Sequence, residues 1–145
     1  MSHERDAFRY VHRVRFDEVD AAGIAYFARF FCWCHDAMAS MLGQLEGGYR
    51  GLLAERRLGL PAVHVEADFA SPLRFDDEIR ITTVVERLGA SSAAFLFRLE
   101  RTADGARVAT IRHIHVLTDL ASLRAVPLTD ELRAVLGRHM SGGTS

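Results

Sequence analysis

The 145-residue chain predicts an α+β fold, one long helix packed on a strongly curved five-stranded antiparallel sheet. Three observations predict it. Apolar residues recur at helical spacing from Phe27 through Phe30, Phe31, Cys34, Met38, Met41, Leu42 and Leu45, which gathers them on one wide helix face. From Ala62 onward the period changes to two, in runs bounded by turn residues. One such run precedes the helix and four follow it. That segregation suits a helix lying on one face of a sheet of hairpins rather than a parallel sheet with crossover helices.

In order, Phe8, Tyr10, His12, Val14 and Phe16 alternate with Arg9, Val11, Arg13 and Arg15, a strand with one buried face. An acidic turn closed by Gly23 leads into the helix, which Gly43 and then the stronger breaker Gly47 with Gly48 bring to an end. A short helix is predicted over 49–57, with Leu52 and Leu53 apolar, before Gly59 and Pro61. Val63, Val65, Ala67 and Phe69 then oppose His64, Glu66 and Asp68. Ser71 and Pro72 interrupt, and Ile79, Ile81, Thr83 and Val85 form the next run, ended by Gly89 and Ala90. Ala93, Phe95, Phe97 and Leu99 follow, and Asp104 with Gly105 signals a hairpin into a last strand over 106–118. Thr129 is placed to cap a C-terminal helix whose first turn holds Asp130 and Glu131. Residues 1–140 read as one domain and 141–145, SGGTS, as a disordered tail.

Composition narrows the function classes. Hydrophobic residues are 49% and net charge is −1, which argues against disorder and against a nucleic-acid partner. All 18 basic residues are Arg. The opening MSHERDAFRY has no apolar core of signal-peptide length, and no apolar run approaches the roughly 18 residues of a membrane span. Cys32 and Cys34 lie two apart on a helix and diverge, so a disulfide between them is geometrically poor. A reduced, cytoplasmic protein that does not bind membranes is the expectation. Cys32, Trp33, Cys34 and His35 do not make a metal site, because successive ligands on a helix point apart and no second cluster completes a tetrahedron.

The chemistry is expected where the first strand meets the helix. Residues 17–27, DEVDAAGIAYF, set a carboxylate, Asp20, a few residues before the start of a mostly apolar helix. The stretch resembles the signature of the 4-hydroxybenzoyl-CoA thioesterase family of hotdog-fold proteins: an acidic residue, two positions, Asp, two positions, Gly, an aliphatic residue, then aromatics that begin the central helix. The strand order and segment lengths extend the resemblance over about residues 8–120.

The resemblance implies an acyl-CoA thioesterase that needs no cofactor. Asp20 matches the family's catalytic carboxylate, either a nucleophile on the thioester carbonyl or a general base for water. Phe27 matches the position whose backbone N–H binds the oxyanion. The physical logic is independent of the family. A thiolate leaves readily, and the first N–H groups of a helix are unpaired and carry the positive end of its dipole. Without the resemblance Asp20 reads first as a helix N-cap. Gly23, Ile24 and Tyr26 complete the motif as substrate-binding candidates, with Gly23 required by backbone conformation or close approach, and Asp17 reads as a turn residue that pairs with an Arg.

His35 stands where hydroxybenzoyl-specific members carry a carboxylate for the distal hydroxyl, so 4-hydroxybenzoyl specificity is not expected. It reads either as the far end of an acyl pocket or as a partly buried His bonded to a carbonyl. Arg74 and Arg87, with Arg57, are the candidates to grip coenzyme A phosphates. His113 and His115 share one strand side, which could bind a metal together with a third ligand but is read here as an exposed face. His64, Glu66 and Asp68 share another, the basis of a dehydratase-like runner-up that lacks its acid on the helix. The substrate is expected to be an aromatic or medium-chain acyl-CoA, and the assembly a homodimer or homotetramer with the site between protomers. The alternative is a non-catalytic acyl-CoA or acyl-carrier binding module.

Overall fold

Phe8, Tyr10 and His12 turn inward and Arg9, Val11 and Arg13 outward along the first strand, β1 (Phe8–Arg13). In the computed structural model, which describes residues 6–141, β1 lies on one edge of a five-stranded antiparallel sheet. The other strands are β2 (Ala62–Phe69), β3 (Glu78–Leu88), β4 (Ser92–Arg101) and β5 (Arg107–Val116), and the order across the sheet is β1-β3-β4-β5-β2. The run after the helix is therefore not a simple series of hairpins. β2 pairs with β5 at the far edge, Val65 opposite His113, and the chain crosses back through Ser71 and Pro72 to pair β3 with β1, Ile81 opposite Tyr10. Pro72 supplies no N–H for a ladder, which suits this crossing rather than a tight turn. The hairpin signal at Asp104 and Gly105 does join β4 to β5, with Gly105 at φ +72° and Arg101 N–H donating to Ala106 O at 2.9 Å.

The central helix α1 (Phe27–Met41) continues into one 3₁₀ turn, Leu42–Gln44, and lies across the sheet. Its buried face is Phe30, Trp33, Cys34, Ala37, Met38 and Met41, against Ile79, Ile81, Phe95, Phe97, Leu99 and Ile111. Each large side chain buried there contributes about 1.5–3 kcal/mol. The buried stripe is rotated from the expected one: Trp33 and Ala37 are inside, whereas Phe27 is 57% exposed at the helix start. Burial also holds the Cys34 thiol well above its ordinary range, so it stays protonated in the core.

The helix ends where two glycines adopt left-handed geometry, Gly47 at φ +78° and Gly48 at φ +68°. The short helix expected over 49–57 is one α turn, Gly48–Arg50, followed by a π turn, Gly51–Glu55. Three two-residue strands, Leu58–Gly59, Thr118–Asp119 and Arg124–Ala125, form a small ribbon beside it. The C-terminal helix α2 (Asp130–Gly137) is capped as expected, Leu132 N–H donating to Thr129 Oγ1 at 3.1 Å. Beyond it the chain takes over the β3 edge past the end of β1: Val85 N–H donates to His139 O and Ser141 N–H to Val85 O. Ser141, assigned above to a disordered tail, is thus hydrogen-bonded, and the rest of that tail lies outside the described residues. No helix among the described residues is long and apolar enough to cross a membrane.

Candidate active site

Between β1 and α1 the chain makes one 3₁₀ turn, Phe16–Glu18, and then a small closed loop. Val19 bridges Ala25, Asp20 N–H donates to Ile24 O at 2.9 Å, and Gly23 N–H donates to Asp20 O at 2.9 Å. Closing the loop this tightly puts Gly23 at φ +83°, which L side chains rarely adopt. A Cβ there would meet nothing within 4 Å, so the requirement is backbone angle rather than space. Asp20 Oδ1 accepts the Ala22 N–H at 2.9 Å, and the residue is exposed at the loop tip.

Asp20 is therefore not the helix cap. That position is Tyr26, whose side chain makes no capping hydrogen bond, so the first N–H groups of α1 carry the positive helix end without a side-chain acceptor. Tyr26 N–H donates to Glu18 O at 3.0 Å and its ring lies 5.0 Å from that of Phe27, both exposed.

What holds the loop is Glu18, a residue to which sequence reasoning gave no role. It is 3% exposed. One carboxylate oxygen accepts Arg15 N–H at 2.8 Å and lies 2.8 Å from His12 Nε2, and the other accepts the Trp33 indole N–H at 2.9 Å. Burial pushes this carboxyl up, but the donors from Arg15, Trp33 and His12 outweigh it and hold its pKa below the ordinary value. One signal could have found it: a core Trp needs an acceptor for its N–H. Strand parity could not, because the alternation expected through Phe16 ends at Arg13 and Phe16, in the turn, is 77% exposed rather than buried. Asp17 pairs with Arg15 at 3.2 Å, where the side-chain hydrogen bond lowers its pKa, and Arg29 donates to its backbone oxygen.

Two cavities flank the seam between α1 and the edge strand β2. The smaller, about 320 Å³, lies by the helix start and is lined by Ile24, Ala25, Phe27, Phe30 and the 69–73 segment. The larger, about 860 Å³, lies further along the helix and is walled by Phe31, His35, Tyr49, Leu60, Val65, His113 and His115 among others. The structure thus brings Ile24 and Phe27 to one cavity and His35 to the other, while Gly23, Tyr26, Arg74 and Arg87 line neither.

His35 is exposed on the rim, its ring 5.9 Å from that of Tyr49. Arg74 is exposed beside Leu73 at the smaller cavity, its backbone N–H donating to Asp77. Arg87 is exposed at the other end of β3, which spans roughly 35 Å at strand rise. The two cannot grip one pyrophosphate from the same chain.

His113 and His115 correct the reading of an exposed face. They are 5% and 4% exposed and point inward. His113 stacks on Phe31 and meets the edge of Phe97, and its Nδ1 lies 3.2 Å from His115 Nε2. Burial lowers both pKa values, that of His113 to about 4, with the neighbouring imidazoles adding to the effect. His64 and Glu66 form an exposed pair at 3.0 Å on the opposite side.

Residues 14–136 match the thioesterase-like superfamily. A 1,4-dihydroxy-2-naphthoyl-CoA hydrolase of Synechococcus sp. (strain CC9311) is 35% identical, over 79% of this chain and 80% of its own length. Another, from Thermosynechococcus vestitus, is 32% identical over 88% of this chain and 86% of its own. The crystal structure of a 1,4-dihydroxy-2-naphthoyl-CoA thioesterase from Synechocystis superposes with a TM-score of 0.82 at 23% identity, covering 90% of this chain and 96% of that one, and shares the fold.

Proposed function

We propose, for a chain that belongs to the thioesterase-like superfamily and is an acyl-CoA thioesterase of the hotdog fold, an aromatic substrate of the 1,4-dihydroxy-2-naphthoyl-CoA kind. The observation that carries the acyl group is the larger cavity. Its walls are rings and aliphatic chains, and it lies on the same seam as the helix start. His35 is eight residues beyond Phe27, about 12 Å along the helix axis. A flat aromatic acyl group reaching from the thioester at the helix start into that cavity uses this length.

In this reading the thioester carbonyl sits at the first turn of α1. The Phe27 N–H donates to the oxygen as negative charge develops on it, an interaction whose removal costs about 10²–10³ in rate. Asp20, exposed and accepting only a short local bond from Ala22, attacks the carbonyl or takes a proton from the attacking water. CoA leaves as its thiolate. A panel of acyl-CoAs followed by thiol release tests the assignment: kcat/KM for 1,4-dihydroxy-2-naphthoyl-CoA exceeds that for straight-chain acyl-CoAs at least tenfold. A preference for straight chains overturns it.

The site is read as shared between two copies. β2 is a sheet edge whose Val63, Val65 and Phe69 are 61%, 41% and 48% exposed, an apolar edge of the kind that pairing covers. Ala62 and Val65 of the same strand line the larger cavity, so a second copy on this edge would also close the pocket. Sedimentation at micromolar concentration should give a dimer or tetramer of the 16.2 kDa chain; a monomer removes the shared site.

A further inference from the structure

The two buried histidines form a relay whose proton positions are set by its far end. Leu60 O can only accept, so His115 Nδ1, 2.7 Å away, carries the proton and donates. A neutral His115 then presents a lone pair at Nε2. His113 Nδ1, 3.2 Å from that lone pair, must donate to it. Burial, with His115 and His35 nearby, keeps His113 neutral down to about pH 4. Its Nε2 is left as a lone pair, and that atom is buried with no hydrogen-bond partner among the described residues. A buried acceptor without a donor is unfavourable. His113 is nine-tenths buried and lines the larger cavity, its ring within 26° of parallel to that of Phe31.

We propose that His113 Nε2, which has no open surface in the cavity wall, is uncovered by a small ring movement when the acyl group enters and accepts a hydrogen bond from its hydroxyl, and that this contact selects hydroxylated aromatic acyl-CoAs over their unsubstituted analogues. The proposal rests on the reading that the acyl group occupies the larger cavity. The donor is neutral, because the wall is mostly apolar, with Leu60, Pro61, Val65, Leu120 and Leu123, carries no carboxylate, and would desolvate a cation. It is a donor and not an acceptor, because the relay from Leu60 leaves no proton on Nε2. His115 is a positioning residue: it fixes the tautomer and touches no hydroxyl in this scheme.

The test uses the intact protein and three matched substrates: 2-naphthoyl-CoA, its hydroxylated form and the methoxy ether, substituted at position 1 or 4. A methoxy group fills the same space but cannot donate. The hydroxylated substrate at one of these positions is expected to exceed both others at least tenfold in kcat/KM, and His113→Phe should bring the three to within about twofold of one another. Independently of any variant, ¹⁵N NMR of the histidines at pH 7 should show His113 protonated at Nδ1 and bare at Nε2. Equal rates for the three substrates in the unmodified protein, or a proton on Nε2, overturn the inference. Leu120→Trp, which fills the cavity, separates this failure from that of the underlying reading. If it leaves all three rates unchanged, the acyl group lies elsewhere; if it abolishes them while the hydroxyl has no effect, the cavity is right and the His113 role is wrong.

Discussion

Replacing Asp20 by Asn lowers kcat at least a thousandfold and leaves the melting temperature unchanged. The amide matches the carboxylate in shape and keeps an oxygen for the Ala22 N–H, the bond that shapes the loop tip at 2.9 Å. Asp20 is exposed and has no buried partner whose loss would weaken the fold. Chemically the change is severe, because an amide neither attacks a thioester nor takes a proton from water near neutral pH. Thiol release and a thermal melt on the same preparation check both halves, and retention of activity within tenfold sinks the role of Asp20. One turnover in ¹⁸O-labelled water then separates the two chemistries. A nucleophilic carboxylate forms a mixed anhydride whose hydrolysis can put label into Asp20, whereas a general base stays unlabelled.

The expected quiet fold of Asp20→Asn follows from a distinction the linear sequence did not make. On spacing alone Asp20 reads first as an N-cap, since Asp a few residues before a helix usually is one. The structure puts the loop closure at Val19 and Ala25 and the cap at Tyr26, so the carboxylate is spared from capping. The helix itself was legible because its apolar spacing runs unbroken from Phe30 to Leu45. The strands were legible because each alternates between turn residues.

Strand order was not legible in the same way, because alternation says which face is buried but not which neighbour pairs. β2 to β3 looked like the other connections, yet it crosses the sheet. Placing His113 and His115 failed for a related reason. Both faces of β5 carry apolar residues, Val108 and Ile114 on one, Ala109 and Ile111 on the other, so hydropathy could not choose between them. Arg112, exposed and paired with Glu86 at 3.2 Å, was the usable signal. It marks the even positions as outward there and so turns the two histidines in.

Glu18 shows what such a misplaced emphasis conceals, and its replacement by Ala carries the largest expected loss of stability, about 3–5 kcal/mol. The carboxylate serves three donors from three elements: His12 on β1, Arg15 at the turn and Trp33 in the middle of α1. Removing it leaves the Trp33 indole N–H without its acceptor in a closed space, at about 1–3 kcal/mol, takes the acceptor from the partly buried Arg15 N–H, and opens a void beside Trp33. Because its pKa is held below the ordinary carboxyl value in the folded state, the unfolded chain takes up its proton first as pH falls. The stabilisation is therefore complete above about pH 5 and shrinks as pH drops through the unfolded and then the folded pKa. Urea unfolding of the parent protein and Glu18→Ala at pH 7 should differ by the full amount, and at pH 3 by clearly less. Since Tyr26 N–H is tied to Glu18 O, the variant should also lose turnover through a displaced helix start. A gap that is small at pH 7, or constant with pH, would mean that the loop is held by backbone pairing alone and that the buried charge is incidental to it.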